Sequence, residues 1–225
     1  MVLPVVQQVT MATRQMSGTV FLVDDDTAVL NAVARLIRSA GYNVETFASP
    51  RDFLKQPHSD EPGCLVLDLR MPELNGLELQ DTICRAGWGL PVIFMSGHAD
   101  VRSTVAAIKG GAIDFLLKPF DEQQLLEAID RAIALDCSAR FDREERKRLR
   151  ARLMQLTPRE HQVCARVLQG RLNKEIASDL GISEKTVKAH RAQVMKKLQA
   201  RSVAELVRIV DNAREDQTSN AILSS

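Results

Sequence analysis

The chain has no stretch approaching the roughly 20 consecutive apolar residues that cross a bilayer, which argues against a membrane-spanning helix. Its opening, "MVLPVVQQVTMATRQMSG", lacks the basic start and apolar core of a secretory signal. Residues 1–17 read as a loose tail, with Met11 and Met16 as alternative starts. Cysteine is sparse, and Cys64, Cys84, Cys137 and Cys164 are scattered with no CxxC pair. That excludes the usual zinc spacings and a disulfide framework, and fits four small hydrophobes in a reducing cytoplasm. Charge of one sign is also missing overall, since 30 Lys+Arg against 29 Asp+Glu leave +1.

That balance hides an asymmetry. Residues 1–138 carry 11 Lys+Arg against 18 Asp+Glu, a net of −7, and residues 139–225 carry 19 against 11, a net of +8. An acidic half followed by a basic half implies two domains with different partners, the second suited to a polyanion such as nucleic acid.

From Thr19 to about Ala134, short apolar runs alternate with amphipathic segments. Strands are expected at "TVFLV" (19–23), "VETF" (44–47), "CLVLD" (64–68), "PVIFM" (91–95) and "DFLL" (114–117). The runs are continuous rather than alternating, as strands buried on both faces should be, and helical stretches such as Thr27–Ala40 separate them. The expected fold class is α/β, a doubly wound five-stranded parallel sheet. A fifth helix starts at Asp121 and enters a stretch of 36 residues without Gly or Pro. Its charged middle, "RFDREERKRLRAR", reads as a solvated helical linker over 135–152, with a dimeric coiled coil as the alternative. A second, all-α domain spans 153–213 and opens at "TPRE", a capping box with Pro at the first helical position. Helices to about Gln169, over Asn173–Leu180, over "EKTVKAHRAQVMKKL" and over about Val203–Val210 give four helices with a Gly-containing turn, the helix-turn-helix pattern. Residues 214–225 read as a tail.

"FLVDDD" ends the first strand in three carboxylates. In a doubly wound sheet, function sits at the carboxyl ends of the strands. Those ends carry Asp24 and Asp25, Asp68, Ser96, and Lys118 followed by Pro119. In the order 2-1-3-4-5 the three acids converge, which suits a hard cation such as Mg²⁺. A carboxylate beside such a cation can attack a phosphoryl group, with a lysine and a hydroxyl stabilising the transferring oxygens.

"VDDD" (23–26), "LDLRMPELNG" (67–76), "MSGHAD" (95–100) and "FLLKPF" (115–120) together resemble the receiver domain of a two-component response regulator. The resemblance implies Asp68 as phosphoacceptor and Mg²⁺ held by Asp24, Asp25, Asp68 and the Arg70 backbone carbonyl. It implies Ser96, Phe115 and Lys118 as the phosphoryl-contacting and switch residues, and a cis Lys118–Pro119 bond. Asp26 is read as a helix cap and His98 as structural. "LTPRE", "NKEIASDLGISEKTVKAHRAQVMKKL" and "RSVAELV" resemble the LuxR-type DNA-binding domain of the NarL/FixJ branch, with "GHAD" pointing to the FixJ-type subgroup. On that resemblance Lys188, Ala189 and Ala192 contact bases, and Lys174, Thr186, His190 and Arg191 contact phosphates. Val187, Val194 and Leu198 form an inward stripe at helical spacing, and Lys188, Ala189, Arg191 and Ala192 are expected to face elsewhere. Val203, Leu206, Val207 and Val210 form a stripe that serves either the core or a dimer face. The implied partners are a sensor histidine kinase, double-stranded promoter DNA, RNA polymerase and a second copy of the chain, in the cytoplasm. Two other readings stay open at this stage: a Mg²⁺-dependent phosphohydrolase, although Asp68-Leu69-Arg70 lacks a second acid, and a constitutive DNA-binding protein with a fixed receiver.

Overall fold

Alternation along the strands builds the sheet. In β1 (Thr19–Val23), Val20 and Leu22 point to one face, while Phe21 and Val23 point to the other, and all five residues are buried. The same split recurs in β3 (Gly63–Asp68) and β4 (Val92–Ser96), so continuous apolar runs serve two cores at once. The computed structural model describes residues 18–56, 61–97 and 101–222, with side chains to residue 213. The tail 1–17 and His98 lie outside the described residues.

β2 (Asn43–Phe47) and β5 (Asp114–Leu117) complete a parallel sheet in the order β2-β1-β3-β4-β5, as the sequence implied. One face packs against α1 (Thr27–Ser39) and α5 (Glu122–Met154) through Leu30, Val33, Ile37, Leu125, Ile129 and Ile133. The other packs against α2 (Pro50–Leu54), α3 (Gly76–Arg85) and α4 (Val101–Lys109) through Phe53, Leu79, Ile83 and Ala107. Burying each such side chain contributes roughly 1.5–3 kcal/mol, so the two layers supply most of the drive to fold.

The chain divides into two compact units, 1–140 and 141–225, and α5 runs as continuous helix through the segment expected to be a helical linker. Asp121 caps α5, accepting from Gln123 N at 2.7 Å. In the second unit α6 (Pro158–Leu168), α7 (Asn173–Leu180), α8 (Glu184–Leu198) and α9 (Val203–Ile222) enclose a core of Val163, Ile176, Val187, Leu198 and Leu206. The capping box is complete: Glu160 N donates to Thr157 Oγ1 at 3.3 Å and Thr157 N to a Glu160 carboxylate oxygen at 2.7 Å. Gly181 ends α7 at φ 64°, the left-handed conformation that favours glycine. The last helix was expected to stop near Val210, and it continues to Ile222. Residues 211–222 contain no Gly or Pro to end it. Among the described residues no helix is long and apolar enough to cross a membrane.

Candidate acid site and nucleic-acid interface

Parallel pairing of β1, β3, β4 and β5 brings their carboxyl ends to one edge. Asp24 follows β1, Asp68 ends β3, Ser96 ends β4, and Lys118 follows β5. Asp24 is 1% exposed, Asp68 6% and Ser96 1%, an unusual density of buried polar groups. Lys118 Nζ donates to one carboxylate oxygen of Asp24 and one of Asp68, each at 2.6 Å. The other Asp24 oxygen accepts from Asp26 N at 2.9 Å, and the other Asp68 oxygen from Arg70 N at 2.7 Å. Both acids are therefore held at two points, and the loops that hold them are the ones that carry the neighbouring motif residues.

Electrostatics make the pair short of positive charge. Burial raises the Asp24 pKa, outweighing the bonds from Lys118 and the Asp26 amide that lower it, and the nearby Asp68 charge adds to the rise. For Lys118, burial favours loss of the proton, but the bonds to Asp24 and Asp68 outweigh it and raise its pKa. A set of buried carboxylate oxygens that one ammonium leaves undercompensated fits a hard divalent cation. Asp25, expected to converge with them, is exposed instead, and it is Asp24 and Asp68 that share the lysine. Among the described residues no group of three or more acid, histidine or cysteine side chains is gathered in a metal-binding arrangement.

Asp26 divides from its neighbours as the sequence suggested. It caps α1, accepting from Ala28 N at 2.8 Å and Val29 N at 3.3 Å. Phe115 pairs in register with Phe94 and is half-buried against it, the rings stacked with centroids 6.1 Å apart. Ser96 lies two residues beyond Phe94 on the same strand, so the hydroxyl and the ring share one face. The Lys118–Pro119 peptide is cis, and Lys118 N donates to Ser96 O at 2.8 Å.

Three residues beyond those expectations also shape the site and its domains. Gly76 opens α3 where the loop from Asp68 folds back, and a Cβ there would lie 2.5 Å from Asp68 O and 2.9 Å from the Phe94 ring. The glycine stood in the quoted "LNG", but spacing alone could not reveal the close approach. Asp136, fully buried on α5, accepts from Gly63 N at 2.9 Å and from Arg140 Nε at 2.6 Å, tying the helix to the start of β3. An Asp and an Arg four apart, following the apolar Ala132 and Ile133, was the available signal. Glu160 also accepts from Lys197 Nζ at 2.7 Å, which joins α8 to the capping box.

On α8 the base-contact candidates Lys188, Ala189 and Ala192 are exposed, as are Thr186 and, on α7, Lys174; His190 is half-buried. Thr186 Oγ1 lies 2.8 Å from Oγ of the helix cap Ser183. Arg191 differs from the outward placement expected of it. It is half-buried, and its Nη1 donates to Asn173 Oδ1 at 2.7 Å. The stripe on α9 is divided between the two readings: Leu206 and Val210 are buried in the core, Val207 is half-buried, and Val203 is 39% exposed.

Comparison with known proteins agrees with both units. Residues 20–130 match the family described as the response regulator receiver domain, and residues 154–210 match the bacterial regulatory proteins of the luxR family. The response regulator protein TmoT of Ectopseudomonas mendocina is 45% identical over 198 residues, covering 88% of this chain and 90% of that protein. The transcriptional regulatory protein FixJ of Rhizobium meliloti is 41% identical over 191 residues, covering 85% of this chain and 94% of that one. Among solved structures, the response regulator StyR superposes with a TM-score of 0.79 at 46% identity, over 87% of this chain and 98% of that one. A receiver whose strand ends converge on buried acids, joined to a LuxR-type helical unit and matched along nearly its whole length by such relatives, makes this chain a two-component response regulator and transcription regulator of the LuxR-type, FixJ-like family.

Proposed function

We propose that Asp68 is the phosphoacceptor, and that its phosphorylation by a sensor histidine kinase controls dimerisation and binding to promoter DNA. The observation that carries this is the Lys118 ammonium lying 2.6 Å from both Asp24 and Asp68 at the carboxyl edge of the sheet. The Asp68 oxygen attacks the donor phosphorus, forming an acyl phosphate as the donor's bond to phosphorus breaks and its imidazole leaves with a proton from solvent. Lys118, already fixed between the acids, turns from Asp68 to the transferred phosphoryl oxygens without reorganisation of the backbone that holds it. The Ser96 hydroxyl offers a second hydrogen bond.

Asp24, Asp25, Asp68 and the Arg70 carbonyl would hold Mg²⁺. When bound, the ion supplies the charge that the lysine leaves uncompensated on the transferring oxygens. Drawing Ser96 toward the phosphoryl group vacates room beside Phe94, into which Phe115 moves, and the α4–β5 surface changes with it. Val203 and Val207 are the members of the α9 stripe left with surface for a second copy. Paired copies bring two α8 helices to DNA half-sites, with Lys188, Ala189 and Ala192 at base edges and Lys174, Thr186 and His190 near phosphates. RNA polymerase is the partner of the DNA-bound dimer, in the cytoplasm, and the chain turns over no external substrate. Treatment with a small-molecule phosphodonor should raise affinity for target DNA in the wild type and leave Asp68→Asn unchanged. Equal gains in both proteins would contradict the assignment.

A further inference from the structure

Among the cations of α8, Arg191 sits on the inward side. Val187, Arg191, Val194 and Leu198 follow at i, i+4, i+7 and i+11, one stripe of a helix, and the three apolar members are buried. Arg191 shares that environment in part, since it is half-buried and lines a small pocket with Val163, Cys164 and Leu206. Its guanidinium reaches the start of α7, where Nη1 donates to Oδ1 of Asn173, the first residue of that helix, at 2.7 Å. Lys188, Ala189 and Ala192 occupy the opposite, exposed side of α8.

We propose that Arg191 is a positioning residue, which sets the angle of α8 on α7 through Asn173 instead of neutralising a DNA phosphate. The proposal rests on α8 being the helix that reads DNA. Reaching a phosphate would withdraw the guanidinium from a charge-assisted hydrogen bond and its stem from the core. With the bond in place, Lys188, Ala189 and Ala192 meet base edges in one pose. Without it, α8 rocks on α7 and discrimination between sequences falls, while the general attraction of exposed lysines to the DNA backbone persists.

The test uses Arg191→Met, which keeps an apolar stem, and Asn173→Ala, which removes the acceptor without changing charge. Two probes are needed: a labelled duplex obtained from a random pool by repeated selection on the wild-type protein, and an unselected duplex. Anisotropy titrations run from about 50 to 200 mM salt, where phosphate contacts register as slope. Each variant should lose about tenfold in affinity for the selected duplex and less than about twofold for the unselected one. The salt slope should match the wild type, the double variant should be no weaker than either single one, and Arg191→Lys should restore most of the loss. Equal losses on both duplexes with a slope shallower by about 0.9 would make Arg191 a phosphate contact and overturn the proposal. So would full affinity in Asn173→Ala, or a lowered melting temperature with unchanged affinity in both variants. Selection that enriches no sequence over the unselected pool would overturn the DNA-reading role of α8, and the proposal with it.

Discussion

Replacing Lys118 by methionine removes the ammonium that stands between two buried carboxylates and keeps a stem of similar length. Asp24 and Asp68 are then left facing each other with 1% and 6% of their surfaces in water. Breaking a fully buried ion pair by deleting one partner costs about 3–5 kcal/mol. Two features reduce that figure: the Lys118 side chain is 21% exposed, and Asp24, whose pKa burial already raises, can take up a proton. The expected loss at neutral pH is about 2–3 kcal/mol, which for a domain of this size lowers the melting temperature by roughly 10 °C. Trp88 is the chain's one tryptophan, and it packs on Phe53 with ring centroids 5.6 Å apart. Its fluorescence therefore follows the first unit alone in the full-length protein. Asp24→Asn in the Lys118→Met background removes the repulsion, so the double variant should melt above the single one. A Lys118→Met protein that melts within about 1 °C of wild type would show that the lysine compensates nothing, and would refute the electrostatic account of the site.

Mg²⁺ at about ten times its dissociation constant should raise the Trp88 transition by about 1.4 kcal/mol, and Asp25→Ala should abolish that gain, since an exposed acid that merely decorates the loop would leave it intact. Gly76→Ala places a Cβ 2.5 Å from Asp68 O, and should cost about 2–4 kcal/mol by the same fluorescence melt, along with slower phosphorylation of Asp68. Asp136→Ala strips Arg140 Nε and Gly63 N of their acceptor and should destabilise the first unit by about 2–3 kcal/mol, again read at Trp88. Glu160→Gln should cost the helical unit about 1–2 kcal/mol at pH 7, measured by circular dichroism. The bond from Lys197 holds the Glu160 carboxyl below the usual carboxylate range, so its contribution is present at neutral pH and is lost as pH falls through the lowered, folded value. The two proteins should therefore converge in strongly acidic buffer, and a gap that persists there would count against the charge.

Much of this organisation was legible because periodicity and strand ends are local signals. The run Phe21-Leu22-Val23 announced a strand buried on both faces, and each of the three aspartates that follow has a distinct setting: Asp24 buried, Asp25 exposed, Asp26 capping α1. Gly76 was hidden, because the need for a glycine arises from Asp68 and Phe94, which approach it only in the folded chain. Arg191 has the spacing of an inward residue, four after Val187 and three before Val194, yet it was grouped with the outward Lys188, and its partner Asn173 lies 18 positions away. The α9 stripe carried two meanings that helical spacing cannot separate. Packing against α6 and α8 decides it for Leu206 and Val210.

The central claim is that Asp68 carries the phosphoryl group, and mapping the adduct tests it most directly. After treatment with a phosphodonor and Mg²⁺, borohydride reduction followed by peptide mass spectrometry should mark Asp68 alone, and Asp68→Asn should take up no label. Label on another residue, or undiminished uptake by Asp68→Asn, would contradict the account.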